Sequence, residues 1–144
     1  MIRNKDLFYF LSFTWGLPMT IIGCIVGAAL LATGHEPKKY GYCLHFEVGN
    51  NWGGVNLGPV FVTSKNATEH TKSHEHGHGL QNCFFGPLTP FVISIPSAVR
   101  YWYRIIRAKI GKPCKTSYYG VWFEYGASDL GHEFMTWYNT QQND

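Results

Sequence analysis

Hydrophobic and polar positions divide the chain into an uncharged N-terminal run, a region of short apolar segments and two later helical stretches. The run from Leu7 to Thr33 contains no charged residue. As one helix it is long enough to cross a bilayer core of about 30 Å, with Pro18 as a candidate kink. A cleaved signal peptide ending near Ala32 is the alternative, but the run exceeds the usual apolar region of about 7–15 residues. We therefore expect a single-pass membrane anchor over residues 1–36.

The next apolar segments have the pattern of a β-hairpin. "YGYCLHFEV" and "VNLGPVFVT" are rich in aromatic and β-branched residues, and the segment "GNNWGG" between them is typical of a turn. Pro59 cannot donate to a sheet ladder, which favours an edge position for the strand from Val55 to Thr63. An edge strand can pair with an extended peptide.

Two helices are predicted beyond the hairpin. The first begins near Asn66, three residues before Glu69 in a capping-box arrangement, and ends at Gly86-Pro87. The second extends from about Val121 to Tyr138. Between them, residues 83–99 are apolar but interrupted by three prolines, which favours a re-entrant, interfacial or core-buried segment over a straight span. Together these elements predict an α+β fold, with one compact domain over residues 37–144.

Charge and cysteine content narrow the possible partners. A net charge of +3 across 144 residues is too small to indicate nucleic acid binding. Six basic residues and no acid lie between Arg100 and Lys115, which favours the cytoplasmic side or anionic lipid, whereas Arg3 and Lys5 favour the opposite orientation. The side of the membrane therefore stays open. The four cysteines form no CxxC pair, so we expect them to be reduced and structural.

The segment "HEHGH" contains the pattern H-E-x-x-H. On a helix His74 and His78 lie on one face and can bind the same ion, while Glu75 lies about 100° around the axis. This arrangement predicts a zinc site with Glu75 as general base. Zinc lowers the pKa of a bound water from about 15.7 to about 7, which makes a nucleophile available at neutral pH. The alternative is a solvated, histidine-rich helix face without a ligand.

Gly77 and Gly79 interrupt this helix, and each costs about 1 kcal/mol relative to alanine. Close approach of another segment would explain them, and a helix end near Gly79 is the alternative.

A wider pattern resembles the gluzincin-type zinc metallopeptidases. More closely, it is similar to short bacterial and phage modules, also found at the ends of polymorphic-toxin proteins, with H-E-x-G-H-x-x-Q, G-P, I-P-S and W-x-E-x-x-A in order. The likeness covers about residues 57–131. The matching positions are His74, Glu75, Gly77, His78, Gln81, Gly86, Pro87, Ile95, Pro96, Ser97, Trp122, Glu124 and Ala127.

The resemblance implies that Glu124 is the third metal ligand, beside His74 and His78. Such families often carry an aspartate four residues later that orients a ligating histidine. Here that position is Ser128, and the aspartate follows at Asp129, so either residue is a candidate for this role. The alternative for Glu124 is an ordinary, partly exposed acid near Arg107 or Lys115.

Several further residues are weaker candidates for stabilising a reacting carbonyl: His132, Tyr118, Tyr119 and Tyr125. His70 continues the stripe of His74 and His78 as an alternative ligand or a surface residue.

The sequence thus predicts a membrane-anchored zinc metalloendopeptidase with its site near the bilayer surface and a peptide or protein substrate. Its oligomeric state is open. The alternatives are a catalytically inactive metal-binding protein and a membrane protein that associates through its glycine-bearing N-terminal helix.

Overall fold

The computed structural model describes residues 1–143 and shows an α+β fold. Within that range there are five α-helices and one four-stranded mixed sheet. Short 3-10 turns at Gly86–Leu88 and Tyr118–Gly120 and a π-helical turn at Pro90–Ser94 connect the later helices. In chain order the helices and strands are α1 (Lys5–Phe13), α2 (Leu17–Ala32), β1 (Lys38–Tyr40), β2 (Cys43–Glu47), β3 (Gly54–Leu57), β4 (Val60–Thr63), α3 (Glu69–Phe85), α4 (Ile95–Lys109) and α5 (Trp122–Asn143).

The uncharged N-terminal run is not one helix, so that prediction is wrong. The run bends by 95° between α1 and α2. Pro18 lies in the first turn of α2, where a missing N–H costs nothing, rather than at a kink within a helix. The buried hydroxyl of Thr20 donates to the Ser12 carbonyl, 2.6 Å away, and so ties the two helices together. This buried hydrogen bond stabilises the bend between α1 and α2.

Within residues 1–143 there is no single helix with the length and hydrophobicity needed to cross a membrane. Two helix pairs meet the requirement only in combination, and both are sharply bent. One is α1 with α2, and the other joins Glu69–Leu88 to Pro90–Lys109 with a bend of 117°.

The sheet differs from the predicted hairpin. Its strand order is β1-β2-β4-β3, with β2 and β4 parallel and the two outer pairs antiparallel. The predicted strand from Val55 to Thr63 is divided by a turn at Gly58 and Pro59, and the Asn/Gly-rich segment leads across to the far edge instead of closing a hairpin. The edges of the sheet are therefore β1 and β3, whereas β4 lies inside it.

Helices cover both faces of this sheet. Phe61 points to one face, where it joins Leu80 of α3 and Phe134 of α5 in a buried cluster. Val60 and Val62 alternate to the other face and pack against α2. All four residues of β4 are buried for this reason. The layers are thus α2, the sheet, α3 and α5.

Helix α3 has a well-defined start and end. Thr68, not Asn66, is its N-cap, and the Thr68 hydroxyl accepts from the backbone N–H of Thr71. Asn66 instead exchanges hydrogen bonds with Asn51 in the loop above the sheet. The helix ends at Phe85 as predicted, with Gly86 as its C-cap. Eleven consecutive residues from Ser73 to Cys83 are buried, because the sheet and α5 enclose the helix.

The proline-rich segment after α3 is neither a strand nor a straight span. It turns through the 3-10 and π-helical segments and continues as α4, with Pro96 in the first turn of that helix. All four cysteines lie in the described part of the chain, and none of them is paired there.

Candidate metal centre

The two motif histidines of α3 lie side by side at its buried centre. The rings of His74 and His78 are 4.7 Å apart between centroids, as expected for residues one helical turn apart. His74 is 3% exposed and His78 is 7% exposed, so this is not a solvated histidine-rich face.

Helix α5 brings Glu124 onto these rings from its first turn. Oε2 of Glu124 is 3.0 Å from Nε2 of His74 and 3.4 Å from Nε2 of His78. Tetrahedral zinc with ligand bonds of about 2.0–2.1 Å would separate its donor atoms by about 3.3 Å. The donor atoms of all three side chains lie within 4.8 Å of one another and form a buried group that could hold a metal ion.

Hydrogen bonding fixes the tautomer of His78 and points a lone pair at Glu124. The Gln81 amide donates through Nε2 to the Phe123 carbonyl, 2.9 Å away, so its Oε1 is the atom that faces His78. Because Oε1 can only accept, Nδ1 of His78 carries the proton of this 2.8 Å bond. The unprotonated Nε2 of a neutral His78 then faces the Glu124 carboxylate.

The Glu124 carboxylate needs a cation. It is fully buried, and among residues 1–143 neither of its oxygens has a hydrogen-bond partner. An isolated buried carboxylate costs several kcal/mol unless it is paired or binds a metal. Two imidazole lone pairs and one carboxylate therefore form a donor set that fits a divalent metal ion.

The pKa shifts follow the same geometry. Burial opposes ionisation of Glu124, but the adjacent His74 and His78 outweigh it and hold the pKa of this carboxyl well below its usual range. Burial lowers the pKa of His74. Burial also disfavours imidazolium at His78, but the Glu124 and Glu75 carboxylates outweigh it and raise its pKa. A metal cation between these side chains would take the place of that proton.

The orienting partners of the two rings are Ser128 and Gln81. Nδ1 of His74 is 2.8 Å from Oγ of Ser128, one turn beyond Glu124 on α5. If Nε2 of His74 binds an ion, Nδ1–H would donate to Ser128, and this bond would set the ring plane. Asp129 is exposed and takes no part in this arrangement. Of the two predicted candidates for this role, the structure places Ser128 at the ring.

A close approach of α3 and α5 makes these contacts possible. At Gly77 an added Cβ would collide with the carbonyl oxygen of Ala127, and at Gly131 it would collide with that of Ser73. The predicted reason for Gly77, close approach of another segment, is confirmed, and the alternative helix end near Gly79 is wrong. Any side chain at either position would push Glu124 away from the histidines.

Glu75 is held beneath the edge strand. A Cβ at Gly54 of β3 would lie 2.6 Å from Cγ of Glu75, so the backbone of β3 passes directly over this carboxyl group. Asn56 of β3 donates to the Glu75 carbonyl at 2.9 Å and locks the strand to α3. Burial raises the pKa of Glu75 to about 7. Such a value suits a group that accepts and returns a proton near neutrality.

A cavity of about 440 Å³ opens beside the three motif residues. The edge strand forms one wall, with Gly54, Val55 and Asn56, and α4 contributes Ser97, Tyr101 and Trp102 to another. The lining is largely apolar and includes the motif side chains and a few other polar groups, a combination typical of small-molecule and peptide sites.

Tyr118 also lines this cavity, and its hydroxyl is 2.9 Å from Oγ of Ser97. Burial and the nearby carboxylates of Glu124 and Glu75 raise its pKa, so the hydroxyl stays protonated and can donate. Tyr119 instead packs edge-on against His74 at 5.0 Å between ring centroids. Of the two tyrosines only Tyr118 lines the cavity of about 440 Å³, and both line a second cavity of about 340 Å³ beside His74 and Glu75.

The remaining candidates lie elsewhere. His132 and Asp129 are exposed and share a surface depression with Arg3 and Glu133, so neither is brought to the metal group. His70 and His74 have ring centroids 6.4 Å apart, and His70 packs against Tyr119. His70 stands outside the group formed by His74, His78 and Glu124.

Sequence reasoning gave no role to Gln81 or Ser97. The i, i+3 spacing of Gln81 from His78 was available as a signal, since such residues are neighbours on a helix. Ser97 matched the I-P-S motif of the resemblance, but its contact with Tyr118 had no local signal, because it spans 21 residues and depends on the turn before α4.

Comparisons of this chain with models of known protein families, with curated proteins and with solved structures find no match.

Proposed function

We propose that this chain is a zinc-dependent peptidase. The observation that carries the proposal is the buried convergence of His74, His78 and Glu124 beside Glu75, with both Glu124 oxygens lacking a hydrogen-bond partner among the described residues. Two imidazoles and one carboxylate leave a fourth tetrahedral position for solvent, which is the pattern of catalytic rather than structural zinc. Bound zinc would lower the pKa of a water there to about 7 and polarise a carbonyl oxygen.

Glu75 is the proposed proton carrier. Its carboxylate lines the cavity next to the two histidines, where it accepts a proton as the water oxygen bonds to the carbonyl carbon. When the C–N bond breaks, the same carboxyl returns that proton to the leaving nitrogen. The Tyr118 hydroxyl would donate to the carbonyl oxygen as negative charge develops on it.

The free edge of β3 supports a peptide as the substrate class. Strand β3 pairs only with β4 among the described strands, and its Gly54, Val55 and Asn56 line the cavity over Glu75. An extended peptide added to this edge would place its backbone across the metal group and its side chains alternately in the cavity. The half-exposed Val55 is available for such contacts.

The substitution Glu75→Gln tests this mechanism. The amide keeps the size of the side chain but cannot carry the proton. Zinc content should stay at one per chain, while cleavage of a broad peptide library should fall by roughly 10²- to 10⁴-fold. Metal content is measured by mass spectrometry on the same preparation that is assayed.

Glu69→Gln is the matched control, because Glu69 lies on the same helix with a side chain that is 75% exposed. Full activity is expected in that variant. Unchanged cleavage in Glu75→Gln would remove Glu75 from the mechanism. Stoichiometric zinc without turnover in the unsubstituted chain would favour the alternative of a metal-binding protein without catalysis.

A further inference from the structure

Helix α4 carries an apolar stripe that the rest of the chain does not cover. Within residues 1–143, none of the residues of α4 is buried. The stripe begins in the preceding π-helical turn, and its side chains are between 53% and 69% exposed. They are Phe91, Ile95, Val99, Trp102, Ile106 and Ile110.

The stripe is narrow and is accompanied by positive charge. At 100° per residue, the positions from Ile95 to Ile110 fall within an arc of roughly 80°. Arg100, Arg104 and Arg107 lie on a separate arc, roughly 125° from the centre of the stripe, and Arg100 and Arg107 donate to backbone carbonyls of residues 112, 117 and 118. Lys109 lies closer, about 60° from that centre. Six basic residues and no acid occur between positions 100 and 115. An exposed apolar stripe beside a cationic face is typical of helices that lie in the plane of a membrane surface.

A second exposed apolar surface adjoins the start of this stripe. At the bend between α1 and α2, the indole of Trp15 donates to the Phe84 carbonyl at 3.3 Å, and both side chains are half exposed. Met19 of α2 contacts Ser94 just before α4. The outward residues of α2 continue the apolar surface, with Ile21, Ile22 and Ile25 each at least 45% exposed.

We propose that α4 and the bend between α1 and α2 dock together on an anionic bilayer surface. The lipid tails would cover the apolar stripe, and lipid phosphates would pair with Lys109 and the lysines that follow it. A second copy of this chain is a poorer occupant of the stripe, because it would bring the same cationic face against this one. Anionic lipid supplies both the apolar area and the opposite charge.

The position of α4 connects this surface to the cavity. Trp102 belongs to the exposed stripe and also lines the cavity beside His74 and Glu75. The cavity therefore opens next to the membrane-facing side of α4. If the proposed peptidase function holds, its substrates are peptide segments at the bilayer surface; the docking itself does not depend on that function.

Tryptophan quenching by brominated lipid tests the docking. The full chain is synthesised in the presence of vesicles of phosphatidylcholine alone or mixed with phosphatidylglycerol, with bromine on the acyl chains. In the mixed vesicles Trp102→Phe should lower the quenched fraction of the emission, because a membrane-embedded indole has been removed. Trp137→Phe is the matched control. Trp137 packs against Phe134 and Arg3, away from the proposed membrane surface, so its removal should raise the quenched fraction of the remaining emission.

The charge contribution is tested with Lys109→Gln combined with Lys112→Gln. Loss of two lysines should raise the concentration of anionic lipid needed for half-maximal tryptophan quenching by roughly 30-fold. An unchanged quenched fraction in Trp102→Phe would overturn the proposal. So would a defined dimer that leaves Trp102 inaccessible to the bromine. Zinc content and cleavage play no part in this readout, so its failure leaves the peptidase proposal standing.

Discussion

At the scale of single residues, two hydrogen bonds decide where the ligand lone pairs point. Ser128 and Gln81 each hold Nδ1 of one histidine at 2.8 Å and leave Nε2 directed at Glu124. Loss of such an orienting partner typically weakens metal affinity by about 10- to 100-fold. We expect Ser128→Ala and Gln81→Ala each to weaken zinc affinity within that range, measured by competition with a chromophoric chelator.

Asp129→Ala is the control for this pair. It removes the carboxylate next in sequence to Ser128, but that side chain is exposed and shares a depression with Arg3. Its zinc affinity should equal that of the unsubstituted chain. A loss in Asp129→Ala that matches the loss in Ser128→Ala would contradict the assigned orientation of His74.

The pairing of His74 with His78 could be predicted because its signal is local, whereas Glu124 was indicated only by the resemblance. Four-residue spacing puts His74 and His78 on one helix face whatever the rest of the chain does. The choice between Ser128 and Asp129 follows from helical phase, since only Ser128 is one turn beyond Glu124. The brace from Gln81 to the Phe123 carbonyl spans 42 residues and has no local signature.

At the scale of elements, the site depends on the close approach of α3 and α5. Gly77→Ala would drive a methyl group into the Ala127 carbonyl. Helix propensity alone would stabilise the variant by about 1 kcal/mol, whereas overpacking costs about 1–3 kcal/mol. We expect a net decrease in the free energy of unfolding together with weaker zinc binding, both measured by denaturant titration with and without zinc.

Gly120→Ala serves as the comparison, because an added Cβ there meets nothing within 4 Å. That variant should bind zinc and unfold as the unsubstituted chain does. A Gly77→Ala variant that is more stable and binds zinc normally would show that the site does not depend on the close approach of α3 and α5 at this position.

Two element predictions were wrong for physical reasons that lie outside each segment. The hairpin prediction used the Asn/Gly-rich segment as the turn, but the chain reverses at Gly58 and Pro59, and β2 finds a parallel partner in β4. Parallel pairing has no turn signal, because its connection is remote. The N-terminal run was predicted as one helix, although the buried Ser12 and Thr20 at its bend were polar clues within it.

At the scale of the whole molecule, His45 makes the stability of the fold sensitive to acid. It is 2% exposed in the central part of the sheet, and its Nε2 is 2.7 Å from the Thr63 hydroxyl. Burial lowers its pKa below the ordinary value of about 6.5. The unfolded chain then binds more protons than the folded chain below about pH 6.5, so stability is present above that pH and decreases as the pH falls.

We expect His45→Gln, which retains a hydrogen-bonding side chain, to reduce this loss. The slope of the unfolding free energy between about pH 5 and pH 6.5 should decrease by up to roughly 1.4 kcal/mol per pH unit, the value for one proton. Unfolding is measured in chelator, which removes the competition between protons and metal. Equal slopes for both chains would show that His45 titrates alike in the folded and unfolded states.

Helix α4 connects two surfaces of the molecule. With α3 and β3 it lines the cavity beside the candidate metal group, and its outward residues, like those of α2, are apolar and exposed. The uncharged run predicted a membrane anchor from the sequence, but the bends at Thr14–Gly16 and before α4 depend on tertiary packing and could not be predicted from the run itself.

Zinc content of the purified chain, compared with that of Glu124→Ala, tests the central claim most directly. The exposed Glu133 on the same helix provides the control variant, Glu133→Ala. We expect one zinc per chain in the unsubstituted protein and in Glu133→Ala, and none retained by Glu124→Ala after dialysis. Stoichiometric zinc in Glu124→Ala, or none in the unsubstituted chain, would contradict a site built from two histidines of α3 and the first turn of α5.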